Sequence, residues 1–527
     1  MANLFYPTKK GEVIHNVKVD VNIKLSLLQE EALTFLNKNK ISLLFGDTGS
    51  GKSEIYFKLF EKMINSGKSC IFLLPEISLT PQMTKRLKEK FGDLVAIWHS
   101  KITKKKKEEI LEKIENDEVK IVMGARSALF LPLRNIGVIV VDEEHDDSYK
   151  SNSRPRYHAR DVAIFLGKKL GAKVVLGSAT PSLSSYKKFP FFRLKGSFYN
   201  SKKIYKFVPN CDFISEYVLE KIKKTLSENF QVIVFLPTRG NFKYLSCRSC
   251  GSGVKCPFCD IGMSIHKDKN ALVCHYCNYH ERISRVCPNC KSKDLSVNRV
   301  GTAEITKVLS DIFSDKKIVQ FDKDTVSTQR KLNSILKDFS QKKIDVLVGT
   351  QMLSKGHDYH DVKLVVVFDI DTILNMADFR SRWKAMSLLM QVSGRVGRKG
   401  SGEIVVQSSN KEFFESYLED FEEFLKDEDE FCKELYPPYK KLLKILISHK
   451  NRQKGLNLLE EIQQRVNSFD LKDIEVVGFG EAPISRIAGK FRFQALFRSS
   501  SSKELLKLSH YLNIQGVEID IDPVNFS

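Results

Sequence analysis

The chain has 527 residues and a formal net charge of +21, with 42% hydrophobic and 10% aromatic residues. That composition excludes a disordered or fibrous protein and is long enough for about three or four domains at ~150 residues each. No apolar run approaches the ~18 residues needed to span a bilayer, and the N-terminus lacks a secretory h-region, so a cytoplasmic protein is expected, with a polyanion as the natural partner of the positive charge.

Short apolar runs alternate with longer amphipathic segments, the pattern of βαβ units and a parallel sheet. Strands are predicted over Ile41–Phe45, Cys70–Leu74, Ile136–Val141, Lys173–Leu176, Val232–Leu236, Asp345–Val348, Leu364–Phe368 and Glu403–Val406. The continuous β-branched stretches GVIVV and KLVVV suit strands buried on both faces. The pattern breaks near 195–225 and again across a cysteine-rich stretch. The fold class expected is α/β: two parallel-sheet lobes, an inserted cysteine-rich zinc-binding module and a small α+β C-terminal domain. The boundaries expected are an N-terminal tail at 1–21 and lobe 1 at 22–205. Lobe 2 is expected at 206–243 and 297–415, the insert at 244–296 and the C-terminal domain at 416–527. The Lys104–Lys107 run reads as a solvated helix face. The acidic, aromatic stretch after residue 412 reads as helical.

Along the first lobe, Gln29 precedes the first strand and is a candidate for reading adenine by paired hydrogen bonds. The strand ends in Gly46-Asp47-Thr48-Gly49-Ser50-Gly51-Lys52-Ser53. Between a strand and a helix, this is a phosphate loop. Its glycines turn backbone N–H groups onto phosphates, Lys52 adds a point charge, and Ser53 offers a hydroxyl to Mg²⁺. Asp142-Glu143-Glu144-His145 follows GVIVV, at the strand end where open α/β sheets bind ligands. Asp142 is expected to hold Mg²⁺ and Glu143 to orient and deprotonate the attacking water. An isolated DEEH would read as a solvated acidic turn; the phosphate loop upstream argues otherwise.

Eight of eleven cysteines form four Cys-x-x-Cys pairs: Cys247/Cys250, Cys256/Cys259, Cys274/Cys277 and Cys287/Cys290. Each pair can grip a tetrahedral zinc, so the ligands for two Cys₄ sites are present, and the spacing leaves the pairing of the pairs open. Closed Cys₄ sites leave no position for a catalytic water, so a structural role is expected. Cys70, Cys211 and Cys432 read as ordinary buried thiols. Farther on, Gln391-Val-Ser-Gly394-Arg395-Val-Gly397-Arg398 offers two guanidinium groups suited to γ-phosphate charge in transit.

Together these motifs resemble superfamily 2 helicases, and the fuller resemblance is to the bacterial primosomal helicases (the PriA, or primosomal protein N′, family). It is carried by Leu73–Gln82, Gly124–Pro132, Asp142–Lys150, Arg156–Ala163, Gly177–Leu183, Gly349–Asp358, Ala377–Trp383, the Gln391–Arg398 motif, the order of the cysteine pairs, and Ala482–Gln494. It implies that the two parallel-sheet lobes are RecA-like, and an ATP-dependent 3′→5′ DNA helicase that recognises stalled forks and starts replication restart by primosome assembly and helicase loading. The alternative is a mainly non-catalytic fork scaffold that recruits primosome proteins. A double-strand translocase or RNA helicase of the same superfamily is a further alternative. Implied partners are forked and single-stranded DNA, helicase loaders and single-stranded-DNA-binding protein, with a monomeric, nucleoid-associated protein.

The resemblance also implies nested zinc sites: Cys247, Cys250, Cys287 and Cys290 around one ion, Cys256, Cys259, Cys274 and Cys277 around the other. It implies coupling roles for Ser178, Thr180, Thr350, Gln351, Lys355, Gly356, His357 and Asp358. An aromatic-rich, DNA-sensing loop would comprise Tyr149, Arg156, Tyr157 and His158; for the two tyrosines, plain core packing is the competing reading. Three departures stand out. The family carries a 3′-end-binding and a winged-helix domain before the motor; the tail expected before the motor here is too short for either, so recognition of a leading-strand 3′ end is not expected from the resemblance. Phe235–Gly240 reads FLPTRG where the family has Asn-Arg before Arg-Gly, so a weaker single-strand contact is expected. Ser53 stands for the commoner threonine, with little consequence expected.

Overall fold

The computed structural model describes residues 17–75, 81–100, 102–197, 202–210, 214–237, 244–247, 249–250, 254–258, 263–266, 271–274, 279–298, 301–322, 325–353, 359, 361–376, 378–397 and 400–524. The chain divides into two compact units: residues 1–204, 354–363 and 387–403 form one, and the remainder forms the other.

The first unit is built on seven parallel strands. In spatial order they are Val95–Trp98, Ile121–Gly124, Ser69–Leu73, Ile136–Asp142, Lys173–Ser178, Ile41–Gly46 and Phe191–Leu194. Ser69–Leu73 and the interior of Ile136–Asp142 are fully buried, as continuous apolar strands covered on both faces must be. The helix Lys52–Asn65 lays Ile55, Tyr56, Leu59, Phe60 and Met63 onto this sheet, which fixes the phosphate loop to the core.

The second unit carries six strands in the order Ile318–Phe321, Val346–Gly349, Gln231–Phe235, Val362–Val367, Gly402–Gln407 and Lys203–Val208. All eight strands anticipated from the sequence occur, each within two residues of its expected ends. The acidic stretch forms two helices, Lys411–Glu415 and Phe421–Cys432, interrupted before Asp420, whose carboxylate caps the second.

The cysteine-rich insert is a small antiparallel sheet ordered His280–Arg282, Ala271–Val273, Ser264–His266, Tyr244–Cys247 and Leu295–Asn298. Its first and last strands pair, Cys247 opposite Leu295, so the insert leaves and rejoins the chain at one place. Its core is small: Val254, Cys256, Met263, Leu272 and Cys274, with Ile487 of the C-terminal domain packed against it. The C-terminal domain is a four-stranded antiparallel sheet whose core includes the apolar faces of helices Arg452–Asn467 and Ser502–Tyr511. Cys70 and Cys432 are buried thiols, as expected; Cys211 lies outside the described residues. Among the described residues no helix is long and apolar enough to cross a membrane.

Candidate nucleotide and metal sites

The phosphate loop leaves strand Ile41–Gly46 and turns through Gly49 and Gly51, both at φ +82°, where a side chain would be strained. The Lys52 ammonium folds back on the loop, donating to the carbonyls of Gly46 (2.7 Å) and Asp47 (3.4 Å). Ser53 stands in the first turn of helix Lys52–Asn65. The Asp47 carboxylate points to the other side, accepting from Arg193 (2.6 Å) and the Gly196 amide (2.7 Å), so its side chain braces the loop. Gly394 backs onto Thr48; a Cβ at Gly394 would lie 2.4 Å from the Thr48 methyl.

Gln29 is buried. Its Oε1 accepts from the Ser26 amide (2.9 Å) and its Nε2 donates to the Ser50 carbonyl (3.2 Å). Both polar ends are therefore engaged by a helix cap and by the phosphate loop. Ser26-x-x-Gln29 is a capping box, the sequence signal for the first of these roles.

Asp142 ends its strand half-buried, and two tyrosines hold it. Tyr56 donates to Oδ1 at 3.1 Å and Tyr149 to the backbone carbonyl at 2.6 Å. Removal from water, then the adjacent Glu143 charge, pushes the Asp142 carboxyl up to about 7, with Lys52 and Tyr56 pulling the other way. Glu143 sits in the left-handed region at φ +49°, a strained conformation of the kind that clusters at functional turns, and its Oε2 lies 3.6 Å from His145 Nδ1. Glu144 is fully buried and accepts from the Ser182 amide (2.7 Å), the Ser185 hydroxyl (2.7 Å) and Arg160 (2.9 Å). The sequence reading gave Glu144 and Arg160 no role; together they pin the turn to the Leu183–Lys188 helix.

His145 links the turn to the arginine motif. Its Nδ1 lies 2.7 Å from the Ser178 hydroxyl and its Nε2 lies 2.8 Å from Gln391 Nε2. Both ring nitrogens of His145 thus face polar partners. Gln391 Nε2 also lies within bonding distance of Thr180 Oγ1 (3.1 Å) and Ser387 Oγ (3.0 Å), and these two hydroxyls are 2.7 Å apart. Residues 387–403 thus belong to the compact unit that holds the phosphate loop, whereas the sequence reading counts them with the second lobe. Arg395, two residues past the helix Ser381–Ser393, is buried. Arg398 lies outside the described residues. Lys203, unremarked in the sequence, has its ammonium disfavoured by burial and by Arg395 and favoured by Asp47.

The expected DNA contacts divide. Tyr149 is 1% exposed and committed to Asp142, so it presents no face to a base. Tyr157 is half-buried and meets the exposed Phe130 edge-on at 5.3 Å, with Arg156 and His158 beside it in sequence and also half-buried. Thr350 is buried and Gln351 exposed. Lys355, Gly356, His357, Asp358 and Arg239 lie outside the described residues.

Cys247, Cys250, Cys287 and Cys290 converge, with all four sulfurs within 4.8 Å of one another. Cys247 and Cys290 are 3.5 Å apart and Cys250 and Cys287 3.7 Å. Tetrahedral Zn–S bonds of about 2.3 Å place sulfurs about 3.8 Å apart, whereas a disulfide needs about 2.05 Å. The donor set therefore fits zinc. Cys256 and Cys274 are buried together in the module's core. Their expected co-ligands, Cys259 and Cys277, lie outside the described residues.

Residues 26–189 match the DEAD/DEAH box helicase family, residues 256–282 the PriA DNA helicase Cys-rich region domain, and residues 433–524 the primosomal protein N C-terminal domain. Replication restart protein PriA of Helicobacter pylori is 44% identical over 515 residues, spanning 97% of this chain and 83% of that protein. The Bacillus subtilis protein of the same name is 36% identical, over 92% of this chain and 64% of that protein. That of Rickettsia felis is 35% identical, over 95% and 81%.

Proposed function

Because this chain belongs to the replication restart protein PriA family, we propose that it is an ATP-driven 3′→5′ DNA helicase that restarts stalled replication forks. The observation that carries the hydrolytic part is the hydrogen-bonded path from the Asp142 turn through His145 to Gln391, four residues before Arg395. Lys52 and the loop amides bind the phosphates, with Ser53 and Asp142 holding Mg²⁺. Glu143 orients the attacking water and takes its proton; Arg395 and Arg398 meet the charge developing on the γ-phosphate. When bound, Mg²⁺ would supply neutralisation of the phosphate charge. Hydrolysis and product release then drive movement along single-stranded DNA.

The net charge of +21 supports backbone-phosphate binding that weakens with salt and ignores sequence. The exposed Phe130 and the half-buried Tyr157, in edge-on contact, are the aromatic pair suited to stacking on an unpaired base. The cysteine module holds two structural zinc ions, one in the outer quartet and one in the inner. With the C-terminal domain it offers the surface that recruits helicase-loading proteins.

The reading is tested by Lys52→Ala and by ATPase assays on forked DNA, blunt duplex and RNA. Forked DNA should stimulate hydrolysis most, and Lys52→Ala should lower the stimulated rate by at least about 10³-fold. Full activity in the variant would overturn the site. Preferential stimulation by RNA or blunt duplex would overturn the substrate.

A further inference from the structure

The buried side of the Asp142 turn carries a polar side chain that the hydrolytic reading does not use. Tyr56 is 0% exposed, in the second turn of the helix that begins at Lys52. Its ring packs edge-on against Phe72, with centroids 5.8 Å apart. A phenylalanine would fill that space, and a buried hydroxyl is costly without a partner. The partner here is Asp142 Oδ1, at 3.1 Å. The hydroxyl is also held against the neighbouring strand, since a Cβ at Gly177 would lie 1.8 Å from it. No side chain larger than glycine fits at 177 while the Tyr56–Asp142 bond is in place.

Lys52, Ser53 and Tyr56 share one helix at i, i+1 and i+4. Ser53 and Tyr56 are one turn apart, and Lys52 and Tyr56 lie on the same side. A single rigid element thus carries both the phosphate-binding residues and the group that holds the carboxylate. A carboxylate has two oxygens, and fixing one from behind sets the direction of the other. Groups hydrogen-bonded to a metal ligand orient it and tune its affinity by about 10- to 100-fold.

We propose that Tyr56 is a positioning residue for Mg²⁺-nucleotide: its hydroxyl ties Asp142 to the phosphate-loop helix, so that loop and carboxylate present one fixed geometry to the metal. This rests on the reading of Asp142 as the Mg²⁺ carboxylate. The test measures binding of a fluorescent, non-hydrolysable ATP analogue, with and without Mg²⁺, to the full chain, to Tyr56→Phe and to Asp142→Asn. Tyr56→Phe should fold, bind the metal-free analogue as the parent does, and lose about tenfold of the Mg²⁺ enhancement. Its half-saturating Mg²⁺ for ATP hydrolysis should rise by a similar factor. A purely structural hydroxyl would move the melting temperature and leave the enhancement intact. An intact enhancement in Tyr56→Phe, with loss in Asp142→Asn, overturns the role of Tyr56 and spares that of Asp142. An intact enhancement in Asp142→Asn overturns the reading of Asp142, and the role of Tyr56 with it.

Discussion

The acidic turn at Asp142–His145 and the outer cysteine quartet both crowd ligand atoms that repel one another when charged, yet different forces hold them. In the turn Asp142, Glu144 and His145 have partners supplied by the protein. Tyr56 and Tyr149 hold Asp142, three side chains and an amide hold Glu144, and Ser178 and Gln391 flank His145. The surrounding sheet is the largest described and its core strands are fully buried. In the quartet four thiols face each other, two of them exposed, over a core of a few side chains. Thiolates so placed repel until a cation sits among them. The turn is preorganised by the fold, whereas the quartet is expected to take its order from a bound metal.

The largest effect that would break this contrast is metal removal. Structural zinc in small cysteine modules supplies roughly 10–16 kcal/mol of apparent binding free energy at neutral pH. Chelation or Cys287→Ser should therefore unfold the module locally. Amide exchange in Tyr244–Cys247 and Leu295–Asn298 should rise steeply, while the buried strand Ile136–Asp142 stays protected. Equal protection of the module with and without metal would show that its small core suffices.

Next comes Glu144→Ala. It removes the buried acceptor of the Ser182 amide, the Ser185 hydroxyl and Arg160, leaving Arg160 with Asp161 (3.2 Å) and the Ser182 hydroxyl (3.1 Å), and should cost about 1–3 kcal/mol. Trp98 lies in the first unit's sheet and Trp383 in the second unit, so denaturation followed at Trp98 in a Trp383→Phe background reads the relevant transition.

Asp142→Asn separates function from stability. The folded carboxyl titrates at about 7, above the ordinary value of about 3.9, so between these values the folded state binds more protons than the unfolded state. The contribution of Asp142 to stability is most favourable at low pH and falls as pH rises through 7. The asparagine variant should thus lose ATPase activity yet be no less stable than the parent at pH 8, with its relative stability growing between pH 5 and 8. A destabilised variant at pH 8 would show that the ionised form is well accommodated. The smallest effect belongs to a surface pair: Lys106→Ala, which removes an exposed contact to Glu109 at 2.8 Å, should move the melting temperature by less than about 1 °C.

The strands readable from sequence were the apolar β-branched ones, such as Ile136–Asp142 and Val362–Val367. Those missed have a different character. Val95–Trp98 and Ile121–Gly124 are four residues long, and Lys203–Val208 alternates half-buried with exposed positions at a sheet edge. Short or one-sided strands give weak periodicity. Tyr149 marks a similar limit. A tyrosine flanked by acidic and basic residues reads as a surface group, but its hydroxyl turns inward to a main-chain carbonyl.

By itself the sequence determined the phosphate loop, the acidic turn, the arginine motif and the four cysteine pairs, because each is a local spacing that the backbone converts directly into local geometry. Only the tertiary structure decided what each meets. Pairing of Tyr244–Cys247 with Leu295–Asn298 closes the insert and brings Cys247 and Cys250 to Cys287 and Cys290. Sheet order brings Tyr56 under Asp142, and the packing of residues 387–403 into the first unit brings Gln391 to His145. These contacts join residues far apart in the chain, and they are fixed by which strands lie side by side and what is buried between them.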